Sequence, residues 1–285
     1  MDISLIYVPY DLDEFRAGMG LAPQALKEAG LLERLQSEKI WVKAELETPS
    51  DLGGGARLER LGRLEAALAD LVVHAQAIHT LPVILGGDCL SAIGVCAGLR
   101  RYLGEEEFGI AWFDAHGDFN TPETTLSGYL GGMPLASVCG HGLDRLRWDA
   151  GLEKPVDESR VMLLGVHDLD DPEIDLLESS AITCLFPADI STGKVEAATQ
   201  ACFGNVAQVY LHVDIDCIDP HYAPGVSFKS SNGISPQQLT DAASSISNHT
   251  SLAALTLAAI NPALDQEDKT IQTGIDLLVK VLSLS

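Results

Sequence analysis

Residues 108–118 read Phe-Gly-Ile-Ala-Trp-Phe-Asp-Ala-His-Gly-Asp, an apolar run that ends in three polar side chains at alternate positions. In an extended chain, residues i and i+2 point to the same side. A second segment repeats this pattern, because the apolar run 209–213 leads directly into Asp214 and Asp216. Both segments are typical of a buried strand that carries polar side chains into a crevice at its carboxyl end.

Apolar runs of this kind alternate with segments of helical periodicity along the chain. The strand candidates are 3–8, 82–85, 108–113, 160–166, 182–185, 209–213 and 252–257. The helix candidates are 23–35, 58–78, 91–103, 172–178, 193–204, 236–246 and 266–284. This alternation predicts βαβ units and an α/β fold with a mostly parallel sheet covered on both faces. Since no interdomain linker is evident, we expect residues 1–285 to form a single domain.

The bulk composition restricts the partners. Of the 285 residues, 46% are hydrophobic, which is enough for a sizeable core. The formal net charge is −23, from 18 basic and 41 acidic residues. This charge argues against nucleic acid or an anionic membrane surface as the main partner. The sequence shows no signal peptide and no apolar run of the roughly 18 residues that span a membrane, so we expect a cytoplasmic protein.

The carboxylates of the two strand-end segments predict a metal centre. Four aspartates directed at one crevice would repel each other strongly unless cations lay between them. The four are Asp114, Asp118, Asp214 and Asp216. Together with the imidazole of His116, they favour a two-metal hydrolytic site.

Three motifs resemble the signatures of the ureohydrolase (arginase–agmatinase) family. They are Gly86-Gly87-Asp88, Asp114-Ala115-His116-Gly117-Asp118-Phe119-Asn120 and Asp214-Ile215-Asp216-Cys217-Ile218-Asp219-Pro220. The resemblance implies a three-layer α/β/α fold and a centre of two Mn²⁺ ions. It also implies hydrolysis of a guanidino or related amidine group, and a homo-oligomer.

The resemblance assigns metal-binding roles by position. Asp114 and Asp214 match the carboxylates that bridge the two ions. His116 and Asp216 match terminal ligands of one ion, and Asp118 matches a terminal ligand of the other. Bridged ions lie roughly 3.5–4 Å apart, so both polarise one shared water. The resulting hydroxide would attack the amidine carbon.

Four further positions match the binding site for an amino-acid substrate. Asn120, Thr125 and Ser127 match residues that hold the α-carboxylate, and Asp170 matches a residue near the α-amino group. Alternatively, Asn120 caps a turn. Asp170 could equally be a solvated loop acid or a charge at a helix N-terminus.

Three positions depart from the family pattern. Cys89 replaces a metal-binding His, and a thiolate there would be a softer, negatively charged ligand. The alternative is a thiol that binds no metal. Gly131 replaces a His that handles protons in arginases. Ala259 replaces a Glu that pairs with the substrate guanidinium.

The loss of the Glu determines the predicted substrate. Without a carboxylate at Ala259, a cationic guanidinium lacks a counter-charge, which disfavours L-arginine. N-hydroxyguanidines are less basic, and the residues around Cys89 and 118–133 look like the branch that converts Nω-hydroxy-L-arginine to hydroxyurea and L-ornithine. One alternative is a non-catalytic member that binds an amino acid or regulates a partner. Another is a hydrolase of agmatine-like, formimino or ureido compounds.

Three residues outside these motifs have open roles. His212 shares a strand face with Asp214, so it is either a core histidine or a hydrogen-bond partner of a ligand. Asp88 could also support a ligand through a hydrogen bond. His141 follows Gly140 in a loop; it could enter the crevice, but we expect exposure to solvent.

Overall fold

The computed structural model describes residues 1–104, 108–190 and 193–284. Its strands are β1 (Asp2–Val8), β2 (Tyr10–Asp11), β3 (Glu14–Phe15), β4 (Trp41–Glu47), β5 (Leu81–Gly86), β6 (Phe108–Phe113), β7 (Val161–Leu164), β8 (Thr183–Leu185), β9 (Gln208–Asp214) and β10 (Ser251–Ala258). Its α-helices are α1 (Ala22–Glu28), α2 (Leu31–Ser37), α3 (Arg57–Ala77), α4 (Ser91–Leu103), α5 (Pro134–Val138), α6 (Asp144–Asp149), α7 (Asp171–Ser179), α8 (Pro187–Ile190), α9 (Lys194–Phe203), α10 (Pro236–Ser247) and α11 (Lys269–Leu282). Within the described ranges, each helix is too short or too polar to cross a membrane.

Within the described residues, the main sheet has eight strands in the order β4-β1-β5-β10-β9-β6-β7-β8. All neighbouring strands in it run parallel. The short strands β2 and β3 form a separate antiparallel pair. The predicted parallel sheet is therefore confirmed.

Helices cover both faces of this sheet. Side chains alternate between two cores along each strand: on β6, Ala111 and Phe113 pack into one core, and Ile110 and Trp112 into the other. The first core contains α1, α2, α9, α10 and α11, and the second contains α3, α4, α5 and α6. Strands buried on both faces explain why the sequence showed continuous apolar runs. The predicted three-layer α/β/α fold is confirmed.

The sequence-based assignment left out several elements, among them β4, α5 and α6, and it merged two helices into one. Strand β4 was missed because it lies at the sheet edge, where its side chains alternate between exposed and half-buried and include charged residues. The predicted helix 23–35 is two helices, α1 and α2. Gly30 separates them with φ 91°, a left-handed conformation that interrupts the helical hydrogen bonds.

The sheet order determines what meets at the carboxyl edge. Strands β5, β10, β9 and β6 are consecutive neighbours at the centre of the sheet. They lead respectively into Cys89, Ala259, Asp214 and Asp114. Because parallel strands all end at one edge, segments far apart in sequence converge there.

Candidate metal centre

A cavity of about 440 Å³ opens at this central edge. The predicted residues that line it are Cys89, His116, Asp118, Asn120, Thr125, Ser127, Asp170, Asp214 and Asp216. Asp114 lies behind them with only 1% of its surface exposed. The structure therefore brings every predicted ligand and substrate residue to one cavity or its immediate wall.

Among the residues that the structure describes, possible ligand atoms form two groups, each with all its atoms within 4.8 Å of one another. The first contains Cys89, Asp114 and Asp214, and the second contains Asp114, His116 and Asp216. Asp114 belongs to both groups, as a carboxylate that bridges two ions must, whereas Asp214, which was also predicted to bridge, belongs only to the first group and Asp118 to neither.

His116 is held between two carboxylates. Its Nδ1 lies 3.1 Å from Asp216 Oδ2 and 3.4 Å from Asp114 Oδ1. Its backbone N–H also donates to Asp114 Oδ1 at 2.7 Å. Burial lowers the pKa of His116, but the hydrogen bonds to the two carboxylates outweigh it and raise this pKa to about 12. Since a metal ligand must be neutral imidazole, a proton and a metal ion compete for this nitrogen.

The other carboxylates lie in an environment that favours a cation. Burial raises the pKa of Asp118 and Asp214 well above the usual range, and neighbouring carboxylates raise it further. Asp118 Oδ2 is buried without a hydrogen-bond partner, and the residue has φ 48°, a strained value for a side chain other than glycine. An ion here would offset the repulsion and satisfy this oxygen. Hard carboxylates with one imidazole fit a divalent ion such as Mn²⁺.

Cys89 supplies the first group with a sulfur atom, which is a softer metal ligand than a carboxylate oxygen. It is 4% exposed, and its thiol donates a hydrogen bond to Asp214 Oδ2 at 3.0 Å. Burial, followed by the charges of Asp214 and Asp118, raises the pKa of this thiol well above its usual range. Without a cation the sulfur therefore stays protonated, and only a nearby ion would make it a thiolate ligand.

The substrate loop is shaped by its own polar side chains. Asn120 Oδ1 accepts a hydrogen bond from Thr124 Oγ1 at 3.1 Å, and Ser127 Oγ accepts one from the Tyr129 N–H at 3.1 Å. Asn120 thus supports the loop, as the turn-capping alternative expects, but it also lines the cavity beside Thr125. The two roles are compatible in this structure.

Asp170 and Glu173 face the same cavity from α7. Asp170 precedes the helix, but its side chain makes no capping hydrogen bond and lines the cavity instead. Sequence reasoning missed Glu173, whose Oε1 accepts a hydrogen bond from the Phe119 N–H at 2.9 Å. Burial raises the pKa of Glu173 to about 7. The available signal was spacing, because residues i and i+3 share one side of a helix.

Tyr129 and Phe228 form an aromatic wall that the sequence did not reveal. Their ring centroids are 5.1 Å apart, and both line the cavity. A Cβ atom added at Gly131 would lie 2.3 Å from Tyr129 Cε1 and 2.8 Å from its hydroxyl. The Tyr129 ring therefore occupies the space into which a side chain at position 131 would extend.

Comparison with known sequences identifies the family. The sequence profile of the arginase family matches residues 1–283. The chain belongs to the arginase family. It is 31% identical to an arginase from Bacillus subtilis (strain 168), covering 98% of this chain and 97% of that one. It is 30% identical to an arginase from Bacillus caldovelox, covering 97% and 96% of the two chains.

Solved structures of the arginase family agree with the fold. The crystal structure of arginase from Bacillus cereus matches with a TM-score of 0.87 at 28% identity, covering 99% of this chain and 98% of that one. Because this match covers nearly all of both chains, the two folds correspond over almost their whole length.

Ala259 contributes an uncharged methyl group to the cavity wall. It follows β10 with φ 64°, lines the cavity, and donates its N–H to the Gly87 carbonyl at 3.0 Å. The backbone bond to the loop before Cys89 fixes its place. A longer side chain at this position would start from the cavity wall.

The structure also decides the three open roles. His212 is fully buried, and its Nε2 lies 3.3 Å from Cys89 Sγ, so it is both a core histidine and a contact of a predicted ligand. Asp88 instead accepts hydrogen bonds from backbone N–H groups, including that of Leu90 at 2.8 Å. The expectation for His141 needs correction: it is only half-exposed, and its Nε2 lies 2.7 Å from Glu158 Oε1.

Proposed function

We propose that this arginase-family protein is a binuclear manganese amidinohydrolase. Its best substrate is Nω-hydroxy-L-arginine, which it cleaves to hydroxyurea and L-ornithine. The observation that carries the proposal is the pair of ligand groups that share Asp114. The predicted ligands are Cys89, Asp114, His116, Asp118, Asp214 and Asp216.

In this proposal the ions activate a water molecule, and hydrogen bonds within the chain hold the ligands in position. When bound, two Mn²⁺ ions supply Lewis-acid activation of a water molecule at neutral pH. Trp112 Nε1 donates to Asp114 Oδ2 at 2.9 Å, and the Ala115 N–H donates to Asp216 Oδ1 at 3.2 Å. These bonds fix the carboxylates before an ion arrives, which reduces the reorganisation that binding requires.

We propose that one end of the cavity binds an amino-acid head group. Asn120, Thr125 and Ser127 offer hydrogen-bond donors for an α-carboxylate, while Asp170 offers a negative charge for an α-amino group. A substrate held at this end directs its guanidino group toward the predicted ligands. Such orientation makes a large contribution to catalysis.

The proposal of a hydroxylated substrate depends on the wall near Ala259. This wall carries a methyl group where a carboxylate would pair with a fully cationic guanidinium. An N-hydroxyguanidine is less basic, so the missing carboxylate should affect it less. Gly131 affects both compounds alike, because both reactions release the same leaving group, the δ-amine of ornithine, which takes up a proton as it leaves. Missing general acid catalysis reduces the rate by roughly 10²–10⁴-fold where assistance is needed.

The test compares kcat/KM for Nω-hydroxy-L-arginine and L-arginine with the Mn²⁺-loaded protein. Formation of hydroxyurea and ornithine is followed by mass spectrometry, with Asp114→Asn as the inactive control. We expect a clear preference for the hydroxylated compound. Equal values, or a preference for arginine, would remove the substrate assignment and leave the hydrolase assignment intact.

Two alternatives give different results in the same assay. If agmatine, a formimino compound or a ureido compound is the preferred substrate, only the substrate class changes. If no such compound is hydrolysed while both ions are bound, the protein is a non-catalytic amino-acid-binding or regulatory member of the family. Isothermal titration with L-ornithine then shows whether the amino-acid site still binds.

We also propose that residues 1–285 act as one domain and assemble into a homo-oligomer. The pairing of strands from both ends of the chain in one sheet supports the first point. Family resemblance supports the second. A single cooperative unfolding transition and sedimentation equilibrium would test them.

A further inference from the structure

Behind Cys89, three buried side chains form a continuous path of hydrogen bonds that ends at its sulfur. Thr256 Oγ1 lies 2.8 Å from the Tyr210 hydroxyl, and this hydroxyl lies 2.9 Å from His212 Nδ1. The other ring nitrogen, His212 Nε2, lies 3.3 Å from Cys89 Sγ. Thr256, Tyr210 and His212 are completely buried.

The sheet register puts these side chains side by side. His212 on β9 is paired directly with Thr256 on β10 and with Trp112 on β6. Tyr210 precedes His212 by two residues, so both point to the same face of β9. The contacts thus lie at the centre of the parallel sheet.

The orientation of the imidazole is fixed by stacking as well as by hydrogen bonds. The rings of His212 and Trp112 are 3.8 Å apart and only 17° from parallel. His212 is completely buried, and its two ring nitrogens face a hydroxyl and a sulfur, so the imidazole is neutral and carries a single N–H. Only one of its two nitrogens can therefore donate.

We propose that His212 is a positioning residue that donates its Nε2–H to the sulfur of Cys89 and holds it as a ligand of the first ion. This inference rests on the proposed role of Cys89 as a metal ligand. A metal-bound sulfur is a thiolate and can only accept hydrogen bonds. The contact between His212 and Cys89 then requires the proton to be on Nε2.

The proton on Nε2 determines which group donates in each hydrogen bond of the path. With its proton on Nε2, His212 accepts at Nδ1, so the Tyr210 hydroxyl must donate to it. The Tyr210 oxygen then accepts from the Thr256 hydroxyl. Without a metal ion, the thiol proton of Cys89 points the other way, to Asp214 Oδ2, so the sulfur lone pairs are available to His212 in this state as well. Each group in the path has one defined role.

The path also explains how a thiolate can replace a neutral ligand. A thiolate adds negative charge to a group that already contains Asp114 and Asp214. An N–H donor spreads the charge of the sulfur, so the sulfur repels the carboxylates less and binds the ion in a fixed orientation. Outer hydrogen bonds of this kind typically change metal affinity by roughly 10–100-fold.

The test uses the protein loaded with Co²⁺, because a thiolate bound to Co²⁺ gives a near-ultraviolet charge-transfer band. His212→Leu removes the donor and fills the space with an apolar side chain. In this variant we expect the band to move to lower energy. The affinity for the Co²⁺ ion next to Cys89 should fall roughly 10–100-fold. His212→Gln keeps an N–H donor and should retain most of both properties.

Further variants separate positioning from folding. Tyr210→Phe and Thr256→Val leave the imidazole in place but remove a hydroxyl from the path, and should shift the band in the same direction by a smaller amount. His141→Gln is the matched control: it removes an imidazole that pairs with Glu158 away from the path. Its band and Co²⁺ affinity should equal those of the unmodified protein.

Three results would overturn the inference. The first is an unchanged band and affinity in His212→Leu. The second is a ¹⁵N NMR spectrum of the Zn²⁺-loaded protein that puts the His212 proton on Nδ1. The third is an unmodified protein that binds two Co²⁺ ions without a thiolate band, in which case Cys89 is not a ligand. The hydrolysis assay with Mn²⁺ is separate, so loss of this inference is distinguishable from loss of the proposed function.

Discussion

At the scale of single residues, Cys89 and His212 have to be considered together. The family pattern carries an imidazole at position 89, whereas this chain carries a thiol there and an imidazole 3.3 Å behind it. The two side chains fill one buried space, since His212 is completely buried and Cys89 is 4% exposed. A change at one position therefore affects the other.

The first prediction concerns restoring the family histidine. Cys89→His alone should crowd His212 and destabilise the protein by about 1–3 kcal/mol, the usual effect of overpacking. Adding His212→Ser makes room, so the double variant should bind Mn²⁺ with higher occupancy than either single variant. Metal analysis and thermal unfolding check this. If the single Cys89→His variant has unchanged stability and full occupancy, the two side chains do not share one space.

A second prediction at this scale concerns Ala259. Ala259→Glu should raise kcat/KM for L-arginine by about 10- to 100-fold, since a hydrogen bond to a charged group is worth about 1.5–3 kcal/mol. The gain for Nω-hydroxy-L-arginine should be smaller, because that compound is less basic. Ala259→Gln, which has the same shape without the charge, is the control. A larger gain for the hydroxylated compound would mean that position 259 does not face the guanidino group.

At the scale of secondary structure elements, β6 and β9 deliver most of the candidate centre. They are neighbours, paired from Phe108 with Gln208 to Phe113 with Val213. Their next residues, Asp114 and Asp214, consequently emerge side by side. The loop after each strand then returns a second carboxylate, Asp118 or Asp216, to the same cavity.

The third prediction follows from the sharing of Asp114. Asp114 belongs to both ligand groups, whereas Asp216 belongs to one. Asp114→Asn should therefore abolish binding of both Mn²⁺ ions, while Asp216→Asn should lose one. Mass-spectrometric metal analysis after dialysis distinguishes the two, and the exposed Asp70→Asn serves as a control. Equal losses from the two variants would contradict a bridging role for Asp114.

At the scale of the whole molecule, the chain has a net charge of −23. Several of its buried carboxyl groups lie at the cavity. Asp88, Asp118, Asp214 and Glu173 all have pKa values raised chiefly by burial. A raised pKa means that the folded state binds the proton more tightly than the unfolded state does. The stabilisation that such a group contributes is fully present below its ordinary pKa. It is lost as pH rises through the pKa of the folded state.

The fourth prediction tests this relation at Glu173. Its pKa is raised from 4.5 to about 7, so the metal-free protein should lose stability as pH rises between these values. Titration of this one group can lower the free energy of unfolding by at most about 1.4 kcal/mol for each pH unit. Glu173→Gln keeps the oxygen that accepts from Phe119 but cannot titrate, so its stability should fall less steeply. Urea unfolding across this pH range in EDTA measures both slopes. Identical slopes would show that Glu173 titrates alike in both states.

The sequence by itself determined the fold class and the members of the candidate centre. Strands buried on both faces appear as continuous apolar runs, and polar side chains directly after such runs mark the carboxyl edge of the sheet. Local patterns of this kind depend only on near neighbours. For the same reason, the edge strand β4 was missed: half of its side chains face water, so its sequence lacks an apolar run.

Only the tertiary structure decided which distant residues act on one another. The order of β5, β10, β9 and β6 places His212 against Cys89, and no feature within either segment specifies that contact. Likewise, the Tyr129 ring fills the space beside Gly131, and Phe228 completes the wall from a loop more than 90 residues away. Such contacts depend on strand order and side-chain direction in three dimensions, because the pairing energy of a parallel sheet comes from segments that are remote in sequence.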